Sequence, residues 1–95
     1  MEIMVKKAEE GIVSKLNAKS WPTWESPVSE FDWHYDEQET CYFIKGKVKV
    51  EYEGGEVEIK EGDIAVFPKG LSVKWKVLEP VKKHYSFQKH DNVLK

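Results

Sequence analysis

The side chains able to do acid–base or nucleophilic chemistry gather in two short stretches. Tyr35, Glu39 and Cys41 lie close together, and Lys83 and Tyr85 follow much later in the chain. Alternate residues share one face of a strand, so Glu39 projects to the same side as Cys41 and Phe43, toward an apolar interior. There Glu39 could serve as a general acid or base whose pKa is raised by desolvation. Two other readings stay open: a carboxylate hydrogen-bonded to Tyr35 or another neighbour, or one wetted from outside. All 15 basic residues are Lys and none is Arg. A buried Glu with no Arg to pair with is costly unless its site uses it. Lys83 shares the inward parity and is the candidate partner. Cys41 would need a depressed pKa beside a His or Lys cation to act as a nucleophile. The reading as a small buried hydrophobe is favoured.

Metal ligation finds little support. The three histidines, His34, His84 and His90, stand in separate contexts. Pairing His34 with Glu39 at a metal would require a one-residue slip that turns Asp32 and His34 inward and Trp33 and Tyr35 outward. Aromatic burial opposes that slip. His84 has the opposite parity to Val81, Tyr85 and Phe87, and so points outward. No metal and no cofactor are expected.

The charge balance narrows the partners. Lys and Arg together number 15 against 17 Asp and Glu, a net of −2. Without basic excess or the bidentate Arg fork, nucleic-acid binding is not expected. The single cysteine permits no intrachain disulfide. No apolar run is long enough for a bilayer, and Met1–Lys7 has no signal-peptide character. A cytoplasmic protein without a membrane partner is expected. Abundant Lys and Glu with only two Asn and two Gln lean toward a heat-adapted source.

The elements that must position these residues follow from periodicity. Ninety-five residues make one domain. Ile3 and Val5 alternate with polar neighbours as in an edge strand. Ile12, Val13 and Leu16 have helical spacing, and Trp21–Pro22 and Ser26–Pro27 end any helix. From Val28 the period is two. Phe31, Trp33 and Tyr35 share a face, and Thr40 to Ile44 is apolar on both faces. Lys47 to Tyr52 alternates cleanly, and Gly54–Gly55 suits a type I′ hairpin. Val57 and Ile59, Ile64 to Phe67, Val73 to Val77, and Val81 to Phe87 complete about eight strands, with breaks expected at Gly46 and at Glu79–Pro80. Such spacing predicts an all-β sandwich or barrel. Residues 1–27 form an N-terminal arm or short helix, 28–88 the barrel and 89–95 a loose tail.

Two segments also carry a family pattern. Glu39, six residues and Gly46 resemble the end of the first cupin motif. Gly62, five residues and Pro68-Lys69-Gly70 resemble the start of the second. Phe31-x-Trp33-x-Tyr35, Tyr42, Trp75-x-Val77 and Lys83-x-Tyr85 are similar to the small single-domain cupins related to ureidoglycine aminohydrolase and the ethanolamine-utilisation cupin. The resemblance covers about residues 20–88 and implies a jelly-roll barrel of two packed antiparallel sheets. In metal-binding cupins it implies three His and one Glu around a divalent ion. Here those His positions fall on Trp33, Tyr35 and Val73, and only Glu39 survives. The resemblance also places Trp33 and Tyr35 at the cavity mouth. The expectation is a metal-free cupin binding a compact polar metabolite through Trp33, Cys41, Trp75, Lys83 and Tyr85. Glu39 and Tyr35 are its candidate catalytic groups for isomerase, lyase or hydrolase chemistry. A metal-dependent aminohydrolase of a ureido compound and a non-catalytic binding or regulatory module are the alternatives. Tyr42 and Ile44 face outward and need cover from Trp21 and Trp24 or from a second copy; a homodimer is the expected solution.

Overall fold

The structure, a computed structural model, describes residues 2–90. Strand β1 (Met4–Lys7) leads to helix α1 (Glu10–Leu16) and a single 3-10 turn (Ala18–Ser20). Six strands follow: β2 (Thr23–Ser26), β3 (Ser29–His34), β4 (Glu39–Tyr52), β5 (Gly55–Lys60), β6 (Asp63–Phe67) and β7 (Ser72–Ser86). Helix α1 ends at Asn17, whose φ of 54° puts it in the left-handed region that closes helices.

Every pairing is antiparallel, and two long strands organise the whole. The first halves of β4 and the last residues of β7 lie in one sheet, ordered β1-β6-β4-β7-β2. The other halves of the same strands continue into a second sheet, with β5 beside β4 and β3 beside β7. The two sheets fold over one core, which gives the jelly-roll expected from the strand pattern.

Two expected breaks are in fact corners. β4 runs unbroken through Gly46 and β7 runs unbroken through Pro80. Between Phe43 and Val48 the β4–β7 register shifts, so the strands bend together from one sheet into the other. Gly46 has φ +90°, and a Cβ there would lie 2.2 Å from the Pro80 carbonyl oxygen. Pro80 is tolerated because this stretch lacks a regular ladder that its missing N–H would interrupt. The β4–β5 hairpin also shifts by one residue from expectation. Tyr52 pairs with Gly55, leaving Glu53 and Gly54 as the loop, and the positive φ falls on Gly55.

The interior holds Phe43, Val48, Val50, Ile59, Phe67, Trp75 and Val77, all essentially inaccessible to solvent. A second cluster lies outside the first sheet, where Val13, Leu16 and Ala18 pack on Ile64, with Tyr42 and Trp21 alongside. Helix α1 and the 3-10 turn thereby cover Tyr42, one of the two outward residues that motivated a homodimer, while Ile44 lies outside this cluster and is only half-buried. Trp24 does not share in this cover, contrary to expectation. It lies on β2 opposite Lys83 and packs inward on Trp75, with ring centroids 5.9 Å apart. Trp21 and Trp24 are three residues apart, an odd spacing, so one chain passing along the sheet edge sends them to opposite faces.

Candidate functional site

A pocket of about 520 Å³ opens at one end of the barrel. Its walls are aromatic: Trp24 and Phe31 on one side, Trp33 at the rim, Trp75 at depth, and Tyr85 and Phe87 from the end of β7. Phe31 stacks on Trp75 at an interplanar angle of 13°. Its polar lining comes from Tyr35, Glu39, Lys83 and Ser26.

Register brings the polar groups together. Cys41 pairs with Tyr85 and Phe43 with Lys83 across the β4–β7 ladder. Glu39, Cys41 and Lys83 therefore project to one interior face. Lys83 Nζ donates to Glu39 Oε2 at 2.7 Å and to Cys41 Sγ at 3.2 Å, and the Cys41 thiol donates to the same carboxylate oxygen at 2.9 Å. Glu39 and Lys83 are each only 6% exposed. The ammonium also sits 4.8 Å from the Trp75 ring centroid and 5.2 Å from that of Trp24, within cation–π range.

Tyr35 is held from two directions. Its N–H donates to the Leu71 carbonyl and its own carbonyl accepts from the Gly70 N–H, so the Pro68–Gly70 turn fixes its backbone. Its ring stacks on Phe67 at 4.8 Å, and its hydroxyl accepts from Trp75 Nε1 at 3.1 Å.

Burial pushes the Tyr35 phenol and the Cys41 thiol well above their ordinary ranges, so both stay protonated at neutral pH. Burial pulls Lys83 the other way, but the Glu39 carboxylate beside it and the hydrogen bonds it donates to Glu39 and to the Cys41 sulfur offset that, and its pKa is raised. Lys83 is therefore a fixed positive charge rather than an amine nucleophile, and Cys41 is a thiol rather than a thiolate.

Residues 13–85 match the EutQ-like cupin domain family. The chain belongs to that family. This EutQ-like cupin is 49% identical to a DUF861 family protein from Thermotoga maritima, over 92% of this chain and all of that one, with a TM-score of 0.88. It is 25% identical to the EutQ protein of Clostridium difficile over 66% of this chain, with a TM-score of 0.62, and spans only 50% of that structure. A DUF861 family protein from Pseudomonas syringae is 26% identical over 66% of this chain and 28% of its own, with a TM-score of 0.61. No curated protein matches the chain.

Within the EutQ-like cupin, the residues predicted from sequence divide into three groups. Trp33, Tyr35, Glu39, Trp75, Lys83 and Tyr85 all line the pocket. Cys41 does not; it is fully buried behind the Glu39–Lys83 pair and reaches the pocket only through them. His34 faces away. It bonds Ser72 Oγ at 2.8 Å and shares a separate surface depression with Asp36, so it does not join Glu39. Four lining residues escaped the sequence reading. Phe31 and Phe87 carried the signal, since they share parity with Trp33 and Tyr85. Trp24 and Ser26 lie on β2, whose place beside β7 has no local signature.

The donor set does not fit the divalent metal of other cupins. Glu39 is already neutralised by an ammonium, and Trp33, Tyr35 and Val73 offer no imidazole. Among the described residues, no group of three or more His, Cys, Asp or Glu could hold a metal ion.

Proposed function

We propose that this EutQ-like cupin binds a compact small molecule in its aromatic pocket and works without a metal, with Glu39 and Lys83 as the groups that meet the ligand. The observation that carries this reading is the buried Glu39–Lys83 contact at the polar end of an otherwise aromatic cavity. A charged pair so enclosed is a poor source of stability compared with apolar packing, which favours a role at the site. If the pocket is catalytic, its chemistry is proton transfer. Glu39 Oε2 is occupied by Lys83 and Cys41, which leaves Oε1 to exchange a proton with the ligand. Lys83 and the neutral Tyr35 hydroxyl then stabilise negative charge developing on a ligand oxygen. Isomerase, lyase and hydrolase reactions all use such a step.

Three measurements test the reading. Protein purified without chelator should contain no stoichiometric Mn, Fe, Ni or Zn; a full equivalent of any of them overturns the metal-free reading. A thermal-shift panel of small sugars, ureides, amino acids and amides should contain a compound that raises the melting temperature, because a ligand bound only by the folded state stabilises it. With that compound, Glu39→Gln should retain binding and lose turnover if the pocket is catalytic. Retained turnover would remove Glu39 from the chemistry.

A further inference from the structure

The hydrogen-bonding groups left open at the polar end of the pocket specify what can enter it. A Lys ammonium has three N–H donors. Two are committed, to Glu39 Oε2 and to Cys41 Sγ. Glu39 Oε1 accepts no hydrogen bond from a described residue. The Tyr35 hydroxyl accepts from Trp75 Nε1 and donates its own proton to no described residue. The corner thus offers two donors and one acceptor. Its net charge is zero, because Glu39 and Lys83 cancel.

Three ligand classes are poor matches. A cation would seek the faces of Trp24 and Trp75, but the Lys83 ammonium already occupies that position. An anion would meet the Glu39 carboxylate, and no Arg is present to outweigh it. A saturated polyol carries hydroxyls around its whole edge, and beyond this corner only Ser26 is polar, so the remainder would be stranded against aromatic rings. A neutral flat molecule with a carbonyl and an N–H on adjacent atoms matches both the corner and the walls.

Building on the reading of this pocket as a binding site, we infer that its ligand is an uncharged planar ring with a carboxamide or lactam edge. The carbonyl takes hydrogen bonds from Lys83 and Tyr35. The N–H donates to Glu39 Oε1. The ring lies among Phe31, Trp33 and Trp75, whose faces give stacking area at little entropic cost.

Three probes sharing one ring separate the classes: benzamide, benzoate and benzylammonium, each added to the full chain at neutral pH. Binding is read by saturation-transfer NMR and by tryptophan fluorescence. Benzamide should bind, and both charged probes should bind about tenfold more weakly or worse, the scale of a buried like-charge or displaced-charge contact. Glu39→Gln, checked for folding by circular dichroism, removes the carboxylate and should invert the order, with benzoate now preferred. Trp33→Ala changes only the exposed rim and should weaken benzamide without altering the fold. Benzoate or benzylammonium binding the native protein as well as benzamide would overturn the amide class and leave the pocket reading intact. Failure of all three probes, while a sugar or amino acid of the thermal-shift panel binds, overturns this inference alone, whereas a cyclic amide or ureide binding there supports it. Failure of the probes and of the whole panel overturns both.

Discussion

Lys83 shows most plainly how a single residue is held here. It is buried, charged, and bonded to one carboxylate oxygen and one thiol. Replacing it with Met should destabilise the fold by about 3–5 kcal/mol, because the Glu39 carboxylate is left buried without a counter-charge. The double variant Lys83→Met with Glu39→Gln should recover part of that loss in urea unfolding, since the stranded charge is gone. The same cluster sets the alkaline limit. Cys41, Tyr35 and Lys83 all hold their protons more tightly folded than unfolded. Their contribution is complete below the unfolded-state values and is lost as pH rises, beginning at about pH 8.5 where an unfolded Cys ionises. The melting temperature should fall above that point, and in Cys41→Ala the onset should move to about pH 10, where Tyr and Lys begin to titrate. Thr40 makes a different case. Its Oγ1 is buried without a hydrogen-bond partner among the described residues. Thr40→Val keeps the shape and removes the unsatisfied group, so its melting temperature should equal or exceed the native value.

At the scale of elements, the corner shared by β4 and β7 carries the architecture. Gly46 lets both strands pass from one sheet to the other, and its missing Cβ makes room for the Pro80 backbone. Gly46→Ala should cost about 3 kcal/mol or more, combining a disfavoured backbone region with a clash against main chain that cannot step aside. Gly62, at φ +92° but with open space around its Cβ position, isolates the first of these effects. Gly62→Ala should cost only about 1–2 kcal/mol. Equal losses at the two sites would remove the corner's special role. Outside the second sheet, Lys47, Lys74 and Lys76 meet Glu58, Glu30 and Glu51 across strands. These partly exposed pairs secure register and solubility more than stability.

For the whole molecule, the question is how so short a chain covers its apolar surface. The outward face of the first sheet carries Tyr42, Ile64 and Val66, and α1 with the 3-10 turn packs over it. Where this intramolecular cover suffices, the second copy that the sequence suggested is not needed. Leu16→Ala should then cost about 2–5 kcal/mol as a core truncation. Light scattering of the native protein should give the mass of one chain, 11.1 kDa. If the native protein is a dimer that Leu16→Ala converts to monomers, helix α1 lies at an interface instead.

Much of this molecule was legible locally because strand parity is a property of adjacent residues. The alternation from Lys47 to Tyr52 specifies a strand whatever surrounds it, and parity alone turned Glu39, Trp33, Trp75 and Lys83 inward. The all-β class was readable for the same reason, whereas the cupin motifs were readable only through their resemblance to a known family. What no local pattern could supply is register across the sheet. Glu39 and Lys83 are 44 residues apart, and only the β4–β7 ladder brings them to 2.7 Å. The corners at Gly46 and Pro80 read as chain breaks because a glycine or proline marks an end in isolation. It marks a bend only when a neighbouring strand bends with it. Trp24 and Trp21 look equivalent in sequence, yet one lines the pocket and the other caps the outer face. That division was decided by where β2 docks on β7, a contact that pairs Trp24 with Lys83, far apart in the chain.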